Sequence, residues 1–297
     1  MCGIVGLFLK NPKLEPQLGS LLSGMLVTMT DRGPDSAGFA IYGSGNAGVK
    51  LTLRATGRAV LSEAVAALEG ELGRGVEVVE RDTHAVIGVP EEAETRVRAW
   101  LAANHPEIDV VSVGRVMEIY KEVGLPGEVA ERFDLAGMHG THGIGHTRMA
   151  TESAVTTNGA HPFSTGADEC LVHNGSLSNH NGLRRVLQRE GLRFATQNDT
   201  EVAAGYLSWR MREGDSLKQA LEAGLRDLDG FFTFVVGTRT GFAVLRDPIA
   251  CKPAVMAETD DYVAFGSEYR ALVGLPGIAA ARVFEPEPAT VYAWERH

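Results

Sequence analysis

The chain has 297 residues, 44% of them apolar and 22% charged, and its 38 acidic against 28 basic side chains give a formal net charge of −10. This is the composition of a folded globular protein, since a mainly disordered chain would pair low hydrophobicity with high net charge. The acidic balance and the lack of a basic run argue against nucleic acid or anionic lipid as partners. Three cysteines are too few for a disulfide framework or a four-thiolate metal site. No apolar run approaches the roughly 18 residues of a membrane span, and the length allows either two domains or one elaborated domain.

The first element is the run Cys2 to Leu9, rich in Ile, Val, Leu and Phe, which predicts a buried strand at the chain terminus. It lacks a basic leader and a small-residue cleavage site, so a signal peptide is not expected and the cytoplasm is the expected compartment. Leu18, Leu21, Leu22, Met25, Leu26 and Met29 recur at helical spacing over 18–31. The cluster Arg32-Gly33-Pro34-Asp35-Ser36-Ala37-Gly38 then predicts a turn, followed by strands at 39–42 and 49–53.

From 58 to 138 the texture changes to a compact α/β insertion of its own. Helices are predicted at 61–72, 91–103 and 116–123, and strands at 76–80, 85–89 and 108–113. Glycines crowd the next stretch (Gly137, Gly140, Gly143, Gly145, Gly159), and Cys170 sits on an apolar strand. Helices follow at 181–189 and 200–212, with Asp199-Thr200-Glu201 placing acid at a helix start. Short strands are expected at 232–236, 242–245, 254–257 and 262–265, with turns at 238–241 and 259–261. Strands with helices gathered in blocks point to an α+β layering.

Cys2 is the sharpest chemical feature. With Met1 removed it carries a thiol and a free α-amine on one residue. A thiol of ordinary pKa is only a few per cent thiolate at pH 7 and needs a base. An α-amine ordinarily titrates at about 7.7–8.0, in the range such a base requires. The alternative is a buried structural cysteine behind a retained Met1. His139, His142 and His146 fit no metal-ligand spacing, and a glycine-rich strand explains them better. His161 and His173 are also expected to be structural.

Five segments together, in order and spacing, resemble the class II glutamine amidotransferases. They are Met1-Cys2-Gly3-Ile4-Val5-Gly6, the turn Arg32 to Gly38, Gly145-His146-Thr147-Arg148-Met149-Ala150-Thr151, His173-Asn174-Gly175 and Asn198-Asp199-Thr200-Glu201. Arg246-Asp247-Pro248 and Phe265-Gly266-Ser267-Glu268 look like the closing strands of that family, so the resemblance covers about 1–58 and 139–297. It implies a four-layer αββα N-terminal-nucleophile hydrolase sandwich carrying the small α/β insertion.

It also implies roles. Cys2 attacks the side-chain amide of L-glutamine, its own amine moves the proton, and the Asn174 side chain with the Gly175 N–H forms the oxyanion hole. Arg148 pairs with the substrate α-carboxylate and Asp199 accepts from its α-ammonium; Thr151 and Arg32 match further substrate-side positions. Met149 and Glu152 depart from the residues usual in that family. The relatives join this unit to a phosphoribosyltransferase, isomerase or flavin domain. Here the family-like strands run to Val291–Trp294, so a detached glutaminase subunit of a hetero-oligomer is expected. The resemblance is nearest to split glutamate synthase-like sets, including N-methylglutamate synthase. This chain would then hold no cofactor, while FMN and an iron–sulfur cluster would belong to a flavin-dependent synthase-type partner. The insertion at 58–138 would dock that partner or shape a channel. Two other readings are a catalytically silent glutamine-binding scaffold or regulatory subunit, and a stand-alone hydrolase of another amide.

Overall fold

The computed structural model describes residues 2–45, 48–150 and 154–296. In chain order the strands and helices are β1 (Gly3–Leu9), α1 (Leu18–Thr28), β2 (Ser36–Tyr42), β3 (Val49–Arg54), α2 (Arg58–Leu72), β4 (Glu77–Arg81), β5 (His84–Val89) and α3 (Glu94–Asn104). Then come β6 (Asp109–Gly114), β7 (Met117–Val123), α4 (Pro126–Arg132), β8 (His142–Arg148), β9 (Phe163–Gly166), β10 (Glu169–Leu177), α5 (His180–Arg189), α6 (Asp199–Arg212) and α7 (Leu217–Asp227). The last are β11 (Gly230–Gly237), β12 (Gly241–Arg246), β13 (Val255–Glu258), β14 (Tyr262–Gly266), β15 (Arg282–Phe284) and β16 (Val291–Glu295).

These strands form a seven-stranded sheet (β15-β13-β14-β1-β8-β2-β7), a five-stranded sheet (β16-β12-β11-β10-β9) and a four-stranded sheet (β4-β5-β3-β6). β1 lies near the middle of the largest, antiparallel to β14 on one side and β8 on the other. Being covered on both faces, it has no polar positions at all, and its side chains simply alternate between two cores. Ile4 and Phe8 point inward with Ala40, Tyr42 and Ile144, against Val172, Val235, Phe242 and Val244 of the five-stranded sheet. Val5, Leu7 and Leu9 point outward under Leu22, Met25 and Leu26 of α1 and Val129 of α4. The far face of the five-stranded sheet is covered by α6 and α7 through Val202, Tyr206, Leu217 and Leu221. The layers are therefore helix, sheet, sheet, helix, the αββα sandwich expected.

The four-stranded sheet has its own core, with Leu51, Leu53, Ile87 and Val89 packed on Leu61 and Leu68 of α2 and Val97 and Leu101 of α3. The chain leaves the large sheet after β2 and rejoins it at β7, the strand antiparallel to β2. Residues 116–123 are thus no helix. Val116, Ile119, Tyr120 and Val123 have helical spacing, but both faces of this strand are covered, so the alternation that would have marked a strand is missing. Helices α4 and α7 are additions to the elements expected from sequence; Ser216 and Gln219 form a capping box that starts α7.

Candidate active site

β1 delivers Cys2 to the end of the large sheet, and the surroundings fix its main chain. The Cys2 carbonyl accepts from Arg32 Nε at 2.9 Å and from Asn174 Nδ2 at 3.3 Å. Next along the chain, Ile4 and Ser267 exchange two bonds, Ile4 N to Ser267 Oγ and Ser267 N to Ile4 O, each 2.9 Å. Gly3 admits no side chain, because a Cβ there would lie 2.7 Å from Thr147 Oγ1 and 2.8 Å from Met29 Cβ. Cys2 itself is part-exposed.

Arg32 is 7% exposed and also donates to Glu268 at 2.7 Å, while Arg270 holds the other Glu268 oxygen at 2.7 Å. The Arg32 hydrogen bond keeps the Glu268 carboxyl below the usual range. Arg32 therefore lies at the Cys2 main chain; like Cys2, Asn174 and Gly175 it is not among the residues lining the cleft described next. Ser267 and Glu268 are legible only as part of a closing strand; their links to Ile4 and Arg32 span more than 230 residues of sequence.

Asn174 and Gly175 lie on β10, facing Thr233 and Phe232 of β11. Asn174 is 4% exposed, with its amide aimed at Cys2. Gly175 has φ +151°, a conformation that side-chain-bearing residues avoid, and a Cβ on it would lie 1.9 Å from the Phe231 carbonyl oxygen. Asn174-Gly175 thus lies within a strand, at a backbone conformation that favours glycine.

Arg148 ends β8 and Asp199 begins α6, and both line one cleft of about 500 Å³, with Thr156, Gly159, Ser176 and His180 among its walls. Arg148 donates to the Ala154 carbonyl at 3.3 Å. Asp199 accepts from Leu177 N at 2.9 Å, which ties the end of β10 to the helix start. The helix cap itself is Asn198, whose side chain accepts from Thr200 N, so Asp199 occupies the first helical position with its carboxylate at the positive helix end. Thr151 and Glu152 fall outside the described residues. Met149, at 36% exposure, is on the surface.

Three buried histidines brace the site. His146 Nε2 bonds the His173 carbonyl at 3.1 Å, and its ring stacks on His161 with centroids 4.0 Å apart. His173 Nδ1 lies 3.0 Å from Thr200 Oγ1 and 3.8 Å from Asp199 Oδ1. Burial holds the His173 imidazole below its ordinary pKa, against the opposing pull of Asp199. His142 stacks on Tyr42 and bonds the Thr238 carbonyl, so the histidines of β8 have partners other than a metal. Among the described residues, no group of three or more His, Cys, Asp or Glu is placed to hold a metal ion. Cys170 is hydrogen-bonded to Tyr42 and burial pushes its thiol up to about 12, while Cys251 is exposed. No helix among the described residues is long and apolar enough to cross a membrane.

Residues 146–274 match the family model described as a glutamine amidotransferase domain. The chain is 64% identical to the glutamine amidotransferase-like protein GlxB of Rhizobium meliloti (strain 1021), over 99% of this chain and 98% of the relative. It is 33% identical to a putative glutamine amidotransferase of Methanothermobacter thermautotrophicus, over 98% of this chain and 99% of that one. Among solved structures, glutamine phosphoribosylpyrophosphate amidotransferase from B. subtilis superposes with a TM-score of 0.61 at 19% identity. That match covers 99% of this chain and 49% of the other, so the chain spans about half the length of that enzyme and the likeness is one of fold. Full-length identity to two such relatives, the matching domain and the shared sandwich agree: the chain belongs to the class II glutamine amidotransferases.

Proposed function

We propose that the chain is a glutaminase subunit that hydrolyses the side-chain amide of free L-glutamine through a Cys2 thioester. It passes the ammonia to a separate, flavin-dependent synthase-type subunit of the glutamate synthase-like or N-methylglutamate synthase-like kind, in the cytoplasm. The observation that carries the reading is the pairing of one cation and one carboxylate, Arg148 and Asp199, in a single cleft. Opposite charges at fixed separation suit the α-carboxylate and α-ammonium of a free amino acid and reject glutamine within a peptide, whose α-groups are amides.

In this reading the Cys2 α-amine, exposed by loss of Met1, accepts the thiol proton as Sγ attacks the side-chain carbonyl carbon. The carbonyl oxygen becomes an oxyanion held by Asn174 Nδ2 and the Gly175 N–H. The same proton passes to the amide nitrogen, which leaves as ammonia. Water then cleaves the thioester, giving glutamate and restoring the thiol. Arg32 holds the Cys2 main chain through its carbonyl. FMN and an iron–sulfur cluster would be held by the partner, and no step on this chain requires them.

The test is intact mass of the purified subunit before and after a glutamine analogue bearing a γ-electrophile. Loss of Met1 and one adduct that disappears in Cys2→Ala support the hydrolase. Retained Met1 with no adduct, with or without the natural partner, overturns it in favour of a silent glutamine-binding scaffold. The two halves of the site should also separate kinetically. Arg148→Ala is expected to raise KM for glutamine far more than it lowers kcat, and Asn174→Ala to lower kcat by about 10²–10³ with a smaller change in KM. Equal effects on both parameters in both variants would contradict the assigned roles.

A further inference from the structure

Lys121 lies in an unusual place for a lysine. It is 7% exposed, near the end of β7, on the sheet face turned inward. Its Nζ donates to the carbonyls of Ala160 at 2.9 Å, Asn158 at 3.3 Å and Pro162 at 3.4 Å, and lies 4.5 Å from the centre of the Phe163 ring. Among the described residues no carboxylate lies within ion-pair distance of it, and burial lowers its pKa to about 8. A buried ammonium is costly unless its donors are satisfied, so three carbonyls and an aromatic face are what keep it there.

The neighbouring residue grips the same segment from the opposite face of the strand. Glu122 accepts from the Thr157 hydroxyl, from Val123 N at 3.0 Å and from Thr83 Oγ1 at 3.3 Å, the last on the turn between β4 and β5. β7 is the edge strand of the large sheet, and residues 157–162 are thus clamped along that edge by one charge on each face. Gly159 of the clamped segment, with Ala154 and Thr156 just before it, forms a wall of the Arg148 cleft. Gly159 and Thr156 line it, a Cβ on Gly159 would be 3.3 Å from Arg148 Nη1, and the Ala154 carbonyl accepts from the same guanidinium.

We infer that Lys121 and Glu122 are positioning residues for glutamine: they hold the 154–162 segment against the Arg148 guanidinium and so set affinity for the substrate α-carboxylate. The inference rests on reading the Arg148–Asp199 cleft as the glutamine site. Neither side chain touches substrate, so the signature is a change in KM without one in kcat.

The experiment compares glutamine hydrolysis by Arg148→Ala, Lys121→Met and Thr157→Val, with thermal melts of each. Methionine keeps the length of the lysine stem and removes the cation; valine removes only the hydroxyl that bonds Glu122. Lys121→Met is expected to raise KM by about tenfold or more with kcat within about twofold, and Thr157→Val to raise KM by about threefold. An unchanged KM in folded Lys121→Met, or a fall in kcat alone, overturns the inference while Arg148→Ala still raises KM. If Lys121→Met does not fold, Thr157→Val decides: a raised KM supports the clamp and an unchanged one overturns it. If Arg148→Ala leaves KM unchanged, the reading of the cleft has failed and the inference falls with it, a result told apart by that variant alone.

Discussion

Replacing Gly175 by alanine is expected to reduce kcat for glutamine hydrolysis by about 10²–10³ and to lower the melting temperature at the same time. The new methyl group would have to occupy a point 1.9 Å from the Phe231 carbonyl oxygen, and the residue would have to keep φ near +151°. Neither can be met by a side-chain rotation, since both are properties of the backbone. Two responses are open: β10 parts from β11, or the 174–175 peptide turns. Either moves the Gly175 N–H and the Asn174 side chain relative to Cys2, and oxyanion donors displaced by about an ångström lose most of their value. The strained conformation itself costs on the order of 1–3 kcal/mol, which sets the expected loss of stability. Steady-state kinetics, adduct formation with a γ-electrophilic glutamine analogue and a thermal melt check this together. A folded Gly175→Ala protein with kcat within about threefold of the parent would remove Gly175 from the oxyanion hole.

The candidate site could be proposed from sequence because its parts are short, local motifs that together carry the family resemblance. Cys2 precedes a strand with no polar residue; Asn174-Gly175 and Asn198-Asp199-Thr200 are contiguous pieces whose chemistry is carried by adjacent residues. Strands clustered apart from helices pointed to an α+β layering, and the four-layer αββα order came with the family resemblance. The supporting residues could not be read in the same way, because their partners come from distant segments. Ser267 meets Ile4, Glu268 meets Arg32, and Lys121 meets the carbonyls of 158–162. β7 shows why such positions are hidden. Met117, Glu118, Lys121 and Glu122 favour a helix by intrinsic propensity, and only pairing with β2 across a seven-residue register makes the segment a strand. With its secondary structure misread, Lys121 has the appearance of an ordinary solvated lysine. The start of α6 is a smaller instance: Asn198 and Asp199 are both good caps, and the structure gives the cap to Asn198, which leaves the Asp199 carboxylate facing the cleft.

The second large effect is expected on the acid side of neutrality. Burial lowers His84, His142 and His146 to about 3 in the folded protein. His161 and His173 are displaced in the same direction, again chiefly by burial. An unfolded histidine titrates near 6.5, so below that pH the unfolded chain binds protons that the folded chain refuses. The stability these neutral rings allow is present above about pH 6.5 and is lost as pH falls from there toward 3. At pH 5 each of the three with a folded value near 3 has given up about 2 kcal/mol, roughly 6 kcal/mol together, against a usual domain stability of about 5–15 kcal/mol. Denaturant titrations at pH 7, 6 and 5 should therefore show stability falling ever more steeply, with at least three protons taken up on unfolding at pH 5. A stability at pH 5 within about 1 kcal/mol of the pH 7 value would mean that these rings are not buried neutral in solution. The effect also separates two causes of acid inactivation. Protonation of a catalytic α-amine would give a one-proton decline in kcat/KM around pH 7–8 in a protein that stays folded. Because His146 joins the strand that carries Arg148 to the strand that carries Asn174, protonation of the buried histidines would instead appear below pH 6 as a multi-proton loss, accompanied by loss of the near-ultraviolet circular dichroism of the folded core.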